Sequence, residues 1–333
     1  MRIADRELTG PPLLVAEIGN NHEGDAGVAR ELVEAAAAAG ADAVKTQVFR
    51  TEGIVRRRDE ARFAQLERFR LPDEVHEELA ALARARGLLF VATPLDLDSA
   101  AFLEPLVDAL KVASGDNDFV ALLDAVGAAG KPVLFSTGLS EMADVRTTKD
   151  RLEAAGAAPG EIAVLHCVTA YPIAVERANL AAIGALAEEL RCVVGYSDHT
   201  IGIETAVAAA ALGARIVEKH FTLRHDFSDF RDHQLSADPA ELRRLAEALR
   251  AVPGMLGEPA KRVLEEERAL LAPVRRSIAA ARDLAAGHVI ALGDLAWLRP
   301  RDGLEPGREG ELVGRALARD VAWGESILLE DLA

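Results

Sequence analysis

The chain has 333 residues, half of them hydrophobic, and a formal net charge of −16. That length holds one large domain and a small one. The acidic balance argues against a nucleic-acid partner, and no apolar run reaches the roughly 18 residues that span a bilayer. The opening stretch MRIADRELTG carries no apolar signal core, so a cytoplasmic protein is expected. In chain order, LLVAEIG (13–19) precedes a helical pattern from about Asp25 to Ala39. AVKTQVF (43–49) is followed by a variable stretch and a helix near 73–86. LLFVATP (88–94) precedes a helix from about Asp98. ALKVASG (109–115) precedes one at 118–129, and PVLFSTG (132–138) one at 141–155. IAVLHCV (162–168) leads to 178–190, CVVGYSD (192–198) to 202–212, and RIVEKHFTL (215–223) to 239–251.

These are eight strand–helix units. The strands are near-continuous apolar runs, as expected of parallel strands covered on both faces. Eight units in about 250 residues is the count and size of a (β/α)8 TIM barrel. A doubly wound open sheet is the alternative, but it usually needs fewer units. The pattern changes after Pro253, where a polar connector helix is expected over about 258–270. From Pro273 onward, short strands alternate with Gly/Asp turns. The expected organisation is a catalytic barrel over 1–252, a linker over 253–272 and a small β-rich domain over 273–333. A domain that small buries little apolar surface by itself, so it is expected to lean on the barrel or on a second subunit.

Barrel active sites lie at the C-terminal ends of the strands, and the polar residues gather there. Glu17 ends the first strand. Lys45 and Gln47 are two apart and share the inward face of the second. Thr93, Lys111 with Ser114, and Ser136 end the third, fourth and fifth, and Tyr171 follows the sixth. Ser197 and His199 end the seventh; Glu218 and His220 end the eighth. A lysine inside a barrel needs an anion or a carboxylate facing it. Lys45 and Lys111, with the hydroxyls of Ser114, Ser136 and Ser197, suit a phosphate dianion. The bland reading is a pair of buried Lys–Glu bridges to Glu17 and Glu218, which leaves the serines unexplained. His199 and His220 come from neighbouring strand ends. Two such imidazoles with open positions suit Mn2+, Fe2+, Zn2+ or Mg2+. His76, His225 and His288 read as solvated surface, and His166 as a satisfied core residue. His22 lies near the mouth without an assigned role. Cys167 and Cys192 form no ligand pattern and read as inert thiols in buried strands.

Taken in order, AEIGNNHEGD (16–25), KTQ (45–47), ATPLD (92–96), KVASGD (111–116), STG (136–138), HCVTAYP (166–172), GYSDHT (195–200), EKHFTL (218–223) and DH (232–233) resemble the sialic acid synthase family. RRSI (275–278), DLAAGHVI (283–290) and LRP (298–300) resemble the antifreeze-like domain of the same family. The resemblance covers essentially the whole chain. It implies condensation of phosphoenolpyruvate with an N-acyl-hexosamine, N-acetylmannosamine or a related diamino hexose, to give a sialic- or legionaminic-type acid. Lys45, Thr93, Lys111, Ser114, Ser136 and Ser197 would hold phosphoenolpyruvate. His199 and His220 would hold the divalent metal, with Mn2+ expected and Mg2+, Co2+ or Fe2+ as alternatives. Glu17, Gln47, Tyr171, Glu218 and Asp232 would surround the sugar and the reacting carbons. Arg299 matches an arginine that a partner subunit's terminal domain inserts into the site, which implies a domain-swapped homodimer. Thr46, Thr169, Val274 and the segment SDFRDH (228–233) depart from the family pattern, in places expected to read the sugar; Arg231 is one of the extra arginines there. The competing readings are a Schiff-base aldolase using Lys45 or Lys111 and a non-catalytic sugar-binding relative.

Overall fold

Eight parallel strands close into a barrel in the computed structural model, which describes residues 1–333. They are β1 (Leu13–Gly19), β2 (Ala43–Val48), β3 (Leu89–Pro94), β4 (Ala109–Val112), β5 (Val133–Ser136), β6 (Ile162–Cys167), β7 (Val193–Asp198) and β8 (Ile216–His220). Each strand pairs with the next in the chain, and β8 returns to pair with β1. That last pairing excludes the open doubly wound sheet and establishes the (β/α)8 barrel.

Alternation along each strand sorts the side chains into two cores. Leu14, Ala16, Ile18, Val44, Phe90, Leu110, Phe135 and Val164 face outward under the helices. Leu13, Val15, Ala43, Leu89, Val91, Ala109, Leu134, Ala163, Leu165 and Ile216 fill the interior. Gly195 belongs to the inward set and has no room for more. A Cβ there would lie 2.6 Å from the carbonyl oxygen of Ile216. An N-terminal hairpin, Arg2–Ile3 against Arg6–Glu7, was not legible in the sequence; Ile3 and nearby Leu8 join the interior apolar cluster.

The covering helices are α1 (Ala26–Ala39), α4 (Asp73–Ala85), α5 (Leu97–Leu103), α6 (Val120–Ala128), α7 (Met142–Ala155), α8 (Ala182–Leu190), α9 (Glu204–Ala211) and α11 (Pro239–Leu256). Their ends follow local chemistry. Asp25 accepts from the backbone N–H groups of Gly27 and Val28 to start α1, and Gly40 ends it in the left-handed region. Asp238 and Glu241 form a reciprocal capping box on α11.

Several expectations are corrected. The variable stretch after β2 contains two helices, α2 (Thr51–Ile54) and α3 (Glu60–Phe69). A short α10 (Arg231–Leu235) follows β8. The pattern does not break at Pro253, because α11 carries that proline inside it and runs on to Leu256. The connector helix over 258–270 does not form; only the turns Glu265–Arg268 and Leu271–Val274 are helical. Residues 258–276 are exposed throughout, so no apolar face is buried to hold a longer helix there. His76 is buried on α4 and not at the surface.

Contacts divide the chain into two compact units, Met1–Gly257 and Glu258–Ala333. The second is built around β9 (Ser277–Ala280) paired antiparallel with β10 (Leu295–Leu298), and its other pairings are single bridges. Ile278, Leu284, Ile290, Leu312, Leu317, Val321 and Ile327 are among its core residues. It contains a repeat: ARDLAAGHVIALGDL (281–295) and ARDVAWGESILLEDL (318–332). The copies exchange equivalent bonds. Leu284 and Val321 trade backbone hydrogen bonds of 2.8 Å in both directions. Asp283 accepts from the Trp323 N–H and Asp320 from the Ala286 N–H, each at 2.7 Å. Arg282 donates to Asp294, and Arg319 to Asp331.

Candidate active site

The interior of the barrel changes character along its axis. Two residues beyond the apolar layer, the same inward alternation delivers Glu17 after Val15, Lys45 after Ala43, Thr93 after Val91, Lys111 after Ala109, Ser136 after Leu134 and Cys167 after Leu165. On the last two strands it delivers Ser197 after Gly195 and Glu218 after Ile216, then His220. One cavity at the C-terminal mouth is lined by these residues together with Gln47, Leu95, Ala113, Ser114, Tyr171 and His199. All the expected barrel site residues except Asp232 therefore line one space. Asp232 lies in α10, and its charge is felt at both Tyr171 and His220. Arg299 is exposed in the second unit, just after β10.

Four charges crowd the floor of this cavity. Lys45 Nζ is 2.9 Å from Glu17 and 3.7 Å from Glu218, and Lys111 Nζ is 3.6 Å from Glu218. The Lys–Glu bridges are therefore real, but they do not use up the polar groups. Lys45 also donates to Thr93 Oγ1 at 3.3 Å, Lys111 to Ser136 Oγ at 2.7 Å, and Ser197 Oγ to Glu218 at 2.9 Å. Burial alone would discharge each group. For Lys45, Glu17 and Glu218 outweigh burial and raise its pKa. For Lys111 burial wins and the pKa falls, with Glu218 only partly offsetting it. Glu218 is the counter-case: burial pushes it up, but Lys111 and Lys45 hold it down at about 2. Glu17 is raised by burial despite Lys45. Gln47 Nε2 donates to Glu17 at 2.9 Å and fixes its carboxylate.

The other wall is aromatic. The Tyr171 ring lies 4.0 Å from His199 and 5.9 Å from His220, and the two imidazole centroids are 5.4 Å apart. His199 Nδ1 is 2.9 Å from the carbonyl oxygen of Val168. It can only donate to that oxygen, which leaves Nε2 with the lone pair. Burial lowers the pKa of His220. The Arg231 guanidinium sits 4.9 Å over the Tyr171 ring. Phe230 packs edge-on against Phe69 of α3 at 5.0 Å and joins a cluster that includes Leu95.

Some readings change. Cys167 is buried as expected, but it also lines the cavity, with Sγ 3.8 Å from His199 Nδ1. Its inward alternation after Leu165 was the signal that could have found it. Cys192 is half-buried and lies just before β7. Thr46 does not face the sugar position, because it is fully buried on the alternation opposite to Lys45 and Gln47. Val274 belongs to the exposed turn before β9 in the second unit. His22 is buried beside its own loop, accepting from the Gly24 N–H at 3.0 Å, and burial lowers its pKa to about 3. His166 is satisfied by the Ala178 carbonyl at 2.8 Å. A second histidine–carboxylate group, His225 with Asp238 and Glu241, does not line the cavity, and its carboxylates already serve the start of α11. No helix is long and apolar enough to cross a membrane.

Comparison with known proteins agrees with this fold. Residues 32–261 match the NeuB family and residues 275–333 match the SAF domain. The chain is 35% identical to the N,N'-diacetyllegionaminic acid synthase of Legionella pneumophila, with 96% of this chain and 94% of that one covered. It is 31% identical to the N-acetylneuraminate-9-phosphate synthase of Mus musculus, covering 85% of this chain and 81% of that one. The crystal structure of an N-acetylneuraminic acid synthetase from Leptospira borgpetersenii, in complex with citrate, superposes with a TM-score of 0.74 at 28% identity. It covers 81% of this chain and 94% of that one. The NeuB match over more than half of the chain, the SAF match after it and a relative 35% identical along nearly the full length place the chain in the NeuB family of synthases, and it is an enzyme.

Proposed function

We propose that the enzyme condenses phosphoenolpyruvate with the open-chain form of an N-acyl-hexosamine, N-acetylmannosamine or a related diamino hexose, in the cytoplasm. The products are phosphate and a nine-carbon 2-keto-3-deoxy acid. The observation that carries this reading is the convergence of two buried lysines, three serines and two imidazoles on one cavity. The donor set fits a divalent cation: His199 has its Nδ1 turned to the Val168 carbonyl, which leaves Nε2 for a ligand bond, and burial lowers the pKa of His220. His199 and His220 would hold it, with Mn2+ preferred over Mg2+, Co2+ or Fe2+. When bound, it supplies Lewis-acid polarisation of the aldehyde oxygen.

Lys45, Lys111 and the hydroxyls of Ser114, Ser136 and Ser197 would bind the phosphate and carboxylate of phosphoenolpyruvate, with Thr93 behind Lys45. Gln47, Tyr171, Glu218 and Asp232 would orient the sugar. The double bond of phosphoenolpyruvate opens as C3 bonds to the aldehyde carbon; the carbonyl π pair moves to the aldehyde oxygen, which takes up a proton from solvent, and C2 is left electron-poor. Water adds at C2 and gives a proton to Glu17, whose raised pKa suits it as acceptor. The C2 hydroxyl then passes its proton to the departing phosphate as the bond between C2 and the phosphate oxygen breaks, leaving the C2 ketone. Phosphate leaves against Lys45 and Lys111, where negative charge develops. Arg299 would serve the site of a partner subunit in a domain-swapped homodimer, and Arg299→Ala is expected to weaken sugar use while sparing phosphoenolpyruvate binding.

The test is phosphate release from phosphoenolpyruvate with Mn2+ and a panel of N-acylated hexosamines. Release that requires one sugar and stops with chelator supports the reading; release without any sugar overturns it. His220→Ala should lose both turnover and bound metal, and an active, metal-replete variant would remove the metal assignment. The lowered pKa of Lys111 supports one second reading, a Schiff-base aldolase. Borohydride trapping of a substrate adduct on Lys111 would favour it.

A further inference from the structure

Between the cavity-facing residues of β7 and β8 lies a second set, on the opposite faces of the same strands, that the chemistry above does not use. Asp198 sits between Ser197 and His199, and Lys219 between Glu218 and His220. Both are about 1% exposed, and they stand opposite each other in the β7–β8 register. Lys219 Nζ is 2.9 Å from Asp198 Oδ2 and also donates to the carbonyl oxygen of Thr200. Asp198 Oδ1 accepts from Tyr196 Oη at 3.1 Å, from the Thr200 N–H at 2.8 Å and from Thr200 Oγ1 at 2.9 Å. Its Oδ2 accepts from Thr205 Oγ1 at 3.2 Å. The carboxylate therefore closes the turn that carries His199, and the ammonium ties that turn to the strand that carries His220.

A buried ion pair is poor evidence for stability, since apolar residues often serve as well. It does fix register, because a slip of one residue would turn every side chain to the other face. Here the two residues it fixes against each other are each next in sequence to one of the proposed metal-binding histidines. We infer that Asp198 and Lys219 are positioning residues that set the spacing of the His199 and His220 imidazoles for one divalent cation. The inference rests on the metal reading given above.

The experiment measures Mn2+ affinity directly, by electron paramagnetic resonance of the free ion, on the full-length protein without substrates. Asp198→Asn combined with Lys219→Met removes the cross-strand tie. It leaves no uncompensated charge, and asparagine retains an acceptor for the turn. The double variant should keep the wild-type circular dichroism and bind Mn2+ about tenfold or more weakly, the usual scale for losing support behind a metal ligand. Excess Mn2+ should then restore much of kcat, which would not happen if the loss came from general distortion. A folded double variant with wild-type Mn2+ affinity overturns the inference, as does a loss of kcat that metal cannot rescue. If the double variant does not fold, Thr205→Val loosens the same turn without touching the charges. It should weaken Mn2+ binding by less than the roughly tenfold at the low end of such effects, and an unchanged affinity there overturns the inference. Wild-type protein that binds no Mn2+ would instead remove the metal reading itself, and this inference with it.

Discussion

Lys111 is held by neighbours that pull in opposite directions. Burial works against its charge, while Glu218 at 3.6 Å sustains it and Ser136 Oγ accepts its hydrogen bond at 2.7 Å. In the proposed reaction its value lies in what it does for the departing phosphate. Lys111→Met should lower kcat/KM for phosphoenolpyruvate by about 10²–10³-fold, the scale of losing one preorganised charge donor. Steady-state phosphate release measures this, with circular dichroism to verify the fold. Most of this constellation was legible because alternation is strict on a strand: Lys45 and Gln47, Ser197 and His199, and Glu218 and His220 could be put on one face by spacing of two. Depth was not legible. Spacing cannot tell that Glu218 lies between both lysines or that Cys167 reaches His199. Those depend on which strands come together around the barrel, and on how far each protrudes.

The elements over the mouth are less regular than the strands, and sequence reading was weakest there. Short helices with few buried residues, such as α2 and α10, leave a faint periodic signal, and α3 was read only as a variable stretch. What holds the segment after β8 against α3 is a contact distant in sequence, Phe230 on Phe69, and the same segment aims Arg231 over Tyr171. Phe230→Ala should loosen that segment. The expected result is a several-fold rise in KM for the sugar at nearly constant KM for phosphoenolpyruvate, since no lysine or serine of the floor touches it; initial rates with each substrate varied in turn decide. In the second unit, Asp294 accepts from His288 at 2.7 Å, from the Ala291 N–H and from Arg282, which holds its pKa down at about 2. A carboxylate depressed on folding contributes stability that is complete above its ordinary pKa. It is lost as pH falls from about 4 towards 2. Asp294→Asn should remove that part of the acid dependence, read from thermal melts of the full chain across this range.

The whole molecule carries sixteen more acidic than basic charges, yet its proposed substrate is an anion. On the cavity floor two lysines meet two glutamates, so local charge does little to offset the outer field. Salt should screen the long-range repulsion. At saturating Mn2+, kcat/KM for phosphoenolpyruvate should rise about two- to threefold between low and moderate ionic strength. A fall would mean that basic groups steer the substrate after all. The eightfold barrel was visible in the sequence because its units are long and evenly spaced. The repeat in the second unit is also written in the sequence, with Leu284 and Val321, Ile290 and Ile327, and Leu295 and Leu332 at matching core positions, but no regular helix or strand period marks it. Where the first copy has His288 bonded to Asp294, the second has Glu325 bonded to Arg319, on an equivalent frame. Arg299 lies between the copies, in residues 296–317, which have no counterpart. The reciprocal bonds between the copies hold both ends of the unmatched span, so the segment that carries Arg299 is anchored at either side by one paired frame.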